Sequence, residues 1–355
     1  MPYSILLTGA NGFVAQHILS QLLKAGHSVR AIVRTQSKAD QLLTTFSAYT
    51  TTQLESHIVP DITAPLAFDA ALISNRPFDA VIHTASPFNY RAVSSNLEFL
   101  DPAVKGTTEI LSSITRVAPS VKRVVLTSSM AAVINWGAPK ETDPPKVYTD
   151  ADWNPITWDE ALTTESPNLA YSASKSFAER AAWDFISENK PGFDLVTINP
   201  PMVYGPYVDV SVYKTPKELN QSNFNLWRNF LEPSLSSKSP LPPNGLHLYV
   251  DVRDLARAHV LALLKPEAGG KRFILGGGAV SSQRIANIFR DALPQLAARI
   301  PQGEPGNAEL PKGIFTLDAT PARDILGLEF CGLEDTFKQV ARQLVQIAES
   351  AETSI

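Results

Sequence analysis

The sequence predicts an α/β protein: a doubly wound parallel sheet with helices on both faces, joined to a smaller C-terminal lobe. Three observations carry this reading. The first half alternates short Val/Ile/Leu-rich runs with segments of helical periodicity, the pattern of repeated β-α-β units. The opening apolar run passes directly into the turn "TGANG" and then into a helical pattern. After Asn199 the texture shifts to prolines, asparagines and serines, as expected of a second lobe with shorter elements.

Tyr3–Thr8 is apolar and ends at Gly9, so it is predicted as the first strand. Gly12–Ala25 places Phe13, Ile18, Leu22 and Leu23 near helical spacing, and Gly26 supplies a stop. Ser28–Val33 follows as a strand and Ser37–Phe46 as a helix. His57–Pro60, Ala80–Thr84 and Arg123–Thr127 are predicted strands, with a helix over Val104–Val117 before the last of them. Ala170–Phe185 is alanine-rich and helical, and Leu195–Asn199 is the next strand. Strands are expected again at Leu246–Asp251 and Arg272–Leu275, separated by a helix over Val252–Leu264. Helices at Ser281–Leu293 and Leu333–Ala348 complete the chain. The division expected is residues 1–200 for the sheet domain, with 246–275 returning to it, and 201–245 plus 277–345 for the smaller lobe.

Composition sets limits on function. The chain has 355 residues, 44% of them hydrophobic and 19% charged, enough for a sizeable core. Lys and Arg total 31 against 35 Asp and Glu, a net charge of -4, and no basic run suggests a nucleic-acid partner. A single cysteine, Cys331, excludes an internal disulfide and fits a reducing, cytoplasmic setting. The apolar run Ile5–Leu7 is too short for a signal peptide and no stretch reaches membrane-spanning length, so neither export nor a membrane partner is expected. The six histidines lack metal-ligand spacing, and no metal is expected. Monomer and homodimer both remain open.

Gly9 and Gly12, with Asn11 between them, stand where a strand turns into a helix. A turn that presses backbone N–H groups against a pyrophosphate needs residues without bulk there, and the helix adds its positive N-terminal end. With a strand before, a helix after and a second strand at the right distance, the turn reads as the phosphate-binding turn of a Rossmann-type dinucleotide fold. At the end of the second strand an NAD site would place Asp or Glu; this chain has Arg34, with Lys38 close behind. A guanidinium suits a 2′-phosphate that a carboxylate would repel, so the expected cofactor is NADPH.

"AYSASKSFAERAAWDF" sets Tyr171 four residues before Lys175, on one helix face. The same spacing at Tyr213 and Lys217 contains Pro216 and is not read as a helix. Together with TGANGFVAQHI, HTASPF (83–88), VVLTSSMAAV (124–133) and YSASK (171–175), the chain resembles the extended short-chain dehydrogenases/reductases. More narrowly it is similar to fungal NADPH-dependent aldehyde and ketone reductases of the methylglyoxal-reductase type, and more distantly to plant dihydroflavonol and cinnamoyl-CoA reductases. VPDI (59–62), PAVKG (102–106), DWNPITW (152–158), NPPMVYGP (199–206), YVDVRDLARAH (249–259) and GLEDTFKQ (332–339) extend the likeness over nearly the whole chain.

The resemblance implies a catalytic triad of Ser129, Tyr171 and Lys175. It places the pyrophosphate on the turn Gly9–Phe13 and Val14, the 2′-phosphate on Arg34 and Lys38, and the adenine between Asp61 and Ile62. Thr84, Ala85 and Ser86 line the cofactor's path, Pro200 and Val203 lie near the nicotinamide, and Ser222 reaches it from the second lobe. Phe88, Met130, Ile134 and Met202 are expected to wall a substrate pocket, the two methionines standing where relatives often carry aromatic rings. In such a site an ammonium beside the phenol lowers the Tyr171 pKa, and Ser129 donates to the carbonyl oxygen.

The expected activity is therefore NADPH-dependent reduction of an aldehyde or ketone to an alcohol. A nucleotide-sugar epimerase or dehydratase holding NAD shares the fold and the Tyr/Lys pair, but would need more basic residues in 200–245 than Lys214, Lys217, Arg228 and Lys238. A non-catalytic NADP-binding sensor would be free to lose the triad. Asp251, Arg253 and Asp254 are expected to form an ion-pair cluster between lobes, Trp153 and Trp158 to pack, and Cys331 to carry no chemistry.

Overall fold

The computed structural model describes residues 2–86 and 95–352. Strand β1 (Ser4–Thr8) leads into helix α1 (Phe13–Lys24), then β2 (Ser28–Val33), α2 (Gln36–Thr45), β3 (Leu54–Ile58) and the short α3 (Asp69–Leu72). Next come β4 (Ala80–His83), α4 (Leu97–Val117), β5 (Arg123–Thr127), β6 (Val147–Tyr148), α5 (Trp158–Thr163), α6 (Pro167–Asn189) and β7 (Asp194–Asn199). The remainder comprises β8 (Met202–Tyr204), α7 (Gln221–Phe230), β9 (Leu248–Asp251), α8 (Val252–Leu264), β10 (Arg272–Ile274), β11 (Gly278–Ala279), α9 (Ser282–Ala292), β12 (Thr316–Leu317), α10 (Thr320–Asp324) and α11 (Leu333–Glu352).

Seven parallel strands form the main sheet in the order β10-β7-β5-β4-β1-β2-β3. Strand order reverses between β1 and β4, and in open α/β sheets ligands bind in the crevice beyond the carboxyl ends of the strands at that point. The alternation of β1 explains the layering. Ile5 and Leu7 face one side, where α1 and α8 supply Ile18, Leu22, Leu255 and Val260. Leu6 faces the other, where α4 and α6 supply Ile110, Leu111, Ile114 and Ala182. Burying each such side chain stabilises the fold by about 1.5–3 kcal/mol. A separate cluster around Tyr207, Phe230, Tyr249, Phe289 and Phe337 forms the core of the smaller lobe.

Helix α6 extends at both ends beyond the expected Ala170–Phe185, and three other differences bear on the architecture. The third strand is Leu54–Ile58 rather than His57–Pro60, because its register is set by β2, with Val29 opposite Leu54 and Val33 opposite Ile58. Helix α4 begins at Leu97, seven residues before Val104, with Pro102 inside it. Asn96 anchors that end by donating from Nδ2 to the Ala161 and Thr164 carbonyls at 2.9 and 2.8 Å. Finally, β9 does not join the main sheet. It pairs with β8, parallel, and with β11, antiparallel, in a second three-stranded sheet, while α8 and β10 do return. Among the described residues no helix is long and apolar enough to cross a membrane.

Candidate active site

The glycine turn sits at the reversal point. Gly9 has φ +65, and a Cβ there would lie 3.0 Å from the backbone N and Cα of Ala85. The crossing of the β1 and β4 ends is thus too close for any side chain at Gly9. Thr8 locks the crossing: its hydroxyl accepts the Thr84 and Ala85 N–H groups at 3.2 and 3.1 Å, leaving its proton for His83 Nδ1 at 2.9 Å. Burial holds the His83 pKa down to about 3, which keeps the ring neutral and able to accept. Gly12 precedes α1, and no side chain caps that helix, so its first-turn N–H groups are available to an anion. Phe13 leaves the turn to pack on Tyr207 at 5.0 Å, joining it to the smaller lobe. Val14 packs on the core beneath, and Asn11 contributes its carbonyl to Gln16 Nε2 at 3.0 Å.

At the adenosine end, Arg34 is the first exposed residue after the buried Val33. Arg34 makes no hydrogen bond or ion pair among the described residues, and Lys38 reaches only Gln41 at 3.4 Å. The Asp61 carboxylate is committed to Thr63, accepting its N–H at 2.8 Å and its hydroxyl at 2.7 Å. Those bonds, with a smaller contribution from Arg34, hold its pKa below the usual carboxylate range. Ile62 packs against the helical Gly106, where a Cβ would come within 3.0 Å of its Cδ1, so "VKG" makes room for the loop that carries Asp61. An open turn without side chains, an uncapped helix start and two uncommitted cations fit a dinucleotide bearing a 2′-phosphate.

Tyr171 and Lys175 project from α6, which Ser166 caps at its N-terminus and the left-handed Lys190 ends. The Tyr171 hydroxyl hydrogen-bonds Ser129, which follows β5 and starts the 3₁₀ turn Met130–Ala132. Lys175 Nζ donates to Ser86 Oγ at 3.1 Å and lies 5.9 Å from the Tyr171 ring centre. Ser129, Tyr171, Lys175 and Ser86 therefore converge, at the ends of β4 and β5. The electrostatics differ from the sequence argument. Burial pushes Tyr171 above its ordinary value, offset by the Ser129 hydrogen bond, and pulls Lys175 down to about 8. Desolvation outweighs the attraction of ammonium for phenolate, so the free protein keeps Tyr171 protonated and its lysine readily neutralised.

The other predicted contacts divide. Val203 and Met202 are half-buried in β8. Pro200 is buried and its carbonyl accepts the Met130 N–H at 2.9 Å, so it holds the 3₁₀ turn in place. Ser222 is buried, donating to the Val203 carbonyl at 2.5 Å and accepting from Asn220 at 2.7 Å, which commits its hydroxyl to positioning β8. Met130 and Ile134 are buried and pack with Val133, Tyr148, Leu248, Ile274 and Phe315, so here they are core residues beneath the site rather than pocket wall. Phe88 lies outside the described residues. Asp251 and Arg253 pair at 2.7 Å and link to Asp335 at 2.9 Å. Asp254 does not join them; it accepts the Cys331 N–H and thiol at 2.7 and 3.2 Å. Trp153 packs beneath Arg272 at 3.7 Å, and Trp158 against Phe177 at 5.0 Å.

Sequence reasoning missed Thr8 and His83, and above all Glu179. That residue continues the Tyr171–Lys175 spacing by one more turn, which was the available clue. Its carboxylate is buried and accepts from Ser128, Asn199, Thr197, Arg272 and Trp183.

A doubly wound nucleotide fold with a Ser/Tyr/Lys cluster at its switch point defines an extended short-chain dehydrogenase/reductase. Residues 5–276 match the NAD dependent epimerase/dehydratase family, and the chain belongs to it. It is 42% identical over 330 residues to ketoreductase azaE of Aspergillus niger, covering 92% of this chain and 93% of that one. It is 37% identical over 348 residues to the NADPH-dependent methylglyoxal reductase GRE2 of Saccharomyces cerevisiae, covering 97% and 98%. The crystal structure of yeast methylglyoxal/isovaleraldehyde reductase Gre2 complexed with NADPH superposes with a TM-score of 0.89 at 35% identity, covering 98% of this chain and 99% of that one.

Proposed function

We propose that this protein is an NADPH-dependent carbonyl reductase that converts small aldehydes or ketones to alcohols in the cytosol. The observation that carries the proposal is the junction of Tyr171, Ser129 and Lys175 with Ser86, directly beside the turn that admits no side chain at Gly9. NADPH, when bound, supplies the hydride. Arg34 and Lys38 bind the 2′-phosphate, and the Gly9–Phe13 turn with the start of α1 binds the pyrophosphate. Ser129 orients the carbonyl oxygen. Tyr171, kept protonated by burial, delivers the proton to that oxygen. Lys175, held by Ser86 near the phenol, favours the phenolate left behind and anchors the nicotinamide ribose. The reductase relatives and the cation in place of an acid at Arg34 support this reading over a nucleotide-sugar epimerase.

Tyr171→Phe tests the reading. The ring still packs near Phe99, at 6.4 Å, so NADPH affinity should change little while kcat falls about a hundredfold or more. Retention of kcat would exclude Tyr171 as the proton donor. Loss of NADPH absorbance with a simple aliphatic aldehyde is the readout.

A further inference from the structure

We propose that Glu179 is a positioning residue for this reaction, acting through Ser128 and Asn199 on the catalytic Ser129. The proposal rests on the Tyr171/Ser129/Lys175 assignment above. Tyr171, Lys175 and Glu179 occupy successive i+4 positions of α6 and so share one face, with Glu179 at the buried end. Its two carboxylate oxygens have different neighbours. Oε1 accepts from Arg272 Nε at 2.7 Å and Thr197 Oγ1 at 3.0 Å, contacts that tie α6 to strands β10 and β7, and from Trp183 Nε1 of its own helix at 3.4 Å. Oε2 accepts from Ser128 Oγ at 2.5 Å and Asn199 Nδ2 at 2.7 Å. The same Asn199 amide also donates to the Ser129 carbonyl at 3.2 Å. One oxygen therefore grips the residue before Ser129 directly and Ser129 itself through an amide.

This grip reinforces the backbone bonds at the strand end, from Ser128 N–H to the Ile198 carbonyl at 2.8 Å and from Met130 N–H to the Pro200 carbonyl at 2.9 Å, by holding the Ser128 side chain as well. Beyond β5 the chain leaves the sheet at Thr127, and Ser129 has extended backbone as it enters the 3₁₀ turn. A shift of Ser128 would swing the Ser129 hydroxyl off Tyr171. Buried hydrogen bonds to a charged acceptor resist such a shift more strongly than neutral ones. The carboxylate is paired in the interior with Arg272, whose guanidinium lies 3.7 Å over Trp153 and donates to the Asp152 carbonyl at 2.9 Å. Beside the triad, a small cavity of about 20 Å³, room for one water, is lined by Lys175, Ser86, Thr107, Ser128 and Glu179. Lys175 and Glu179, one helical turn apart, both line it.

The test uses the full chain with NADPH and a small aliphatic aldehyde. Ser128→Ala removes the shortest contact to Oε2 and leaves the Glu179–Arg272 pair intact. The expected result is a fall in kcat of about tenfold, with the KM for NADPH within about twofold of wild type and a Tm lowered by no more than a few degrees, so that the protein stays folded at the assay temperature. Ser128→Thr keeps the hydroxyl and has the cavity for its extra methyl, so it should recover most of the lost kcat. Glu179→Gln should lower kcat further and also lower Tm, since it strands Arg272. Wild-type kcat in Ser128→Ala, or no recovery in Ser128→Thr, overturns the positioning role. Tyr171→Phe is run in parallel: full activity there defeats the triad assignment itself, whereas an inactive Tyr171→Phe beside a fully active Ser128→Ala defeats only the role of Glu179.

Discussion

Arg34 should set the choice between NADPH and NADH, and its surroundings allow the size of the effect to be worked out. β2 delivers it to the surface immediately after the buried Val33, opposite Ile58 of β3. It is not spent on Asp61, whose Oδ1 is occupied by Thr63. A charge-assisted hydrogen bond contributes about 1.5–3 kcal/mol in a protected site. The exposure of Arg34 draws that to the lower end, about 1.5 kcal/mol, or roughly tenfold in binding. Lys38, exposed in the first turn of α2, adds about 0.2–1 kcal/mol more. Wild type should therefore favour NADPH by about ten- to a hundredfold in kcat/KM, mostly through KM. Arg34→Gln should remove about tenfold of that preference, and Arg34→Asp more, because a second carboxylate then stands near Asp61 and repels the phosphate. Steady-state kinetics with both cofactors at about 0.05 M and about 0.5 M salt would measure this, the preference narrowing at high salt as screening shortens the reach of these charges. Equal kcat/KM for NADPH and NADH in wild type would refute the argument, as would an Arg34→Asp protein that prefers NADPH as strongly as before.

Two further outcomes follow from the geometry. Because burial brings Lys175 down to about 8, its ammonium is lost as pH rises through that value, whereas Tyr171, pushed up, stays protonated; kcat/KM for reduction should fall on the alkaline side of about pH 8. A profile flat from neutrality to about pH 10 would contradict the assignment of Lys175. Gly9→Ala forces a left-handed backbone on alanine, costing about 1–2 kcal/mol, and drives its Cβ to 3.0 Å from the Ala85 backbone. It should lower Tm by a few degrees and weaken NADPH binding in a fluorescence titration, and an unchanged affinity would show that the β1/β4 crossing is not the nucleotide cradle.

Much of this protein was legible in its sequence, and for identifiable reasons. Period-two and period-3.6 patterning fixes local conformation, so β2, β5 and α8 fall where periodicity puts them. Helical spacing alone sets Tyr171 and Lys175 on one face, and glycines that tolerate left-handed backbone mark the turn after β1. Other features depend on contacts between segments far apart in the chain. Pro102 hid the true start of α4, which is anchored by Asn96 reaching the C-terminal end of α5. The apolar run of β9 is the same whichever sheet it joins; its pairing with β8 and β11 was decided by the smaller lobe. Met130 and Ile134 look like pocket residues by position, and packing beneath the site claims them instead. The pKa of Tyr171 turned on desolvation, a property of everything that surrounds the side chain. Glu179 shows the boundary most clearly. Its spacing from Lys175 was written in the sequence, but its donors come from β7, β10 and the residue that follows β5 as well as its own helix, and only the folded sheet brings them to one carboxylate.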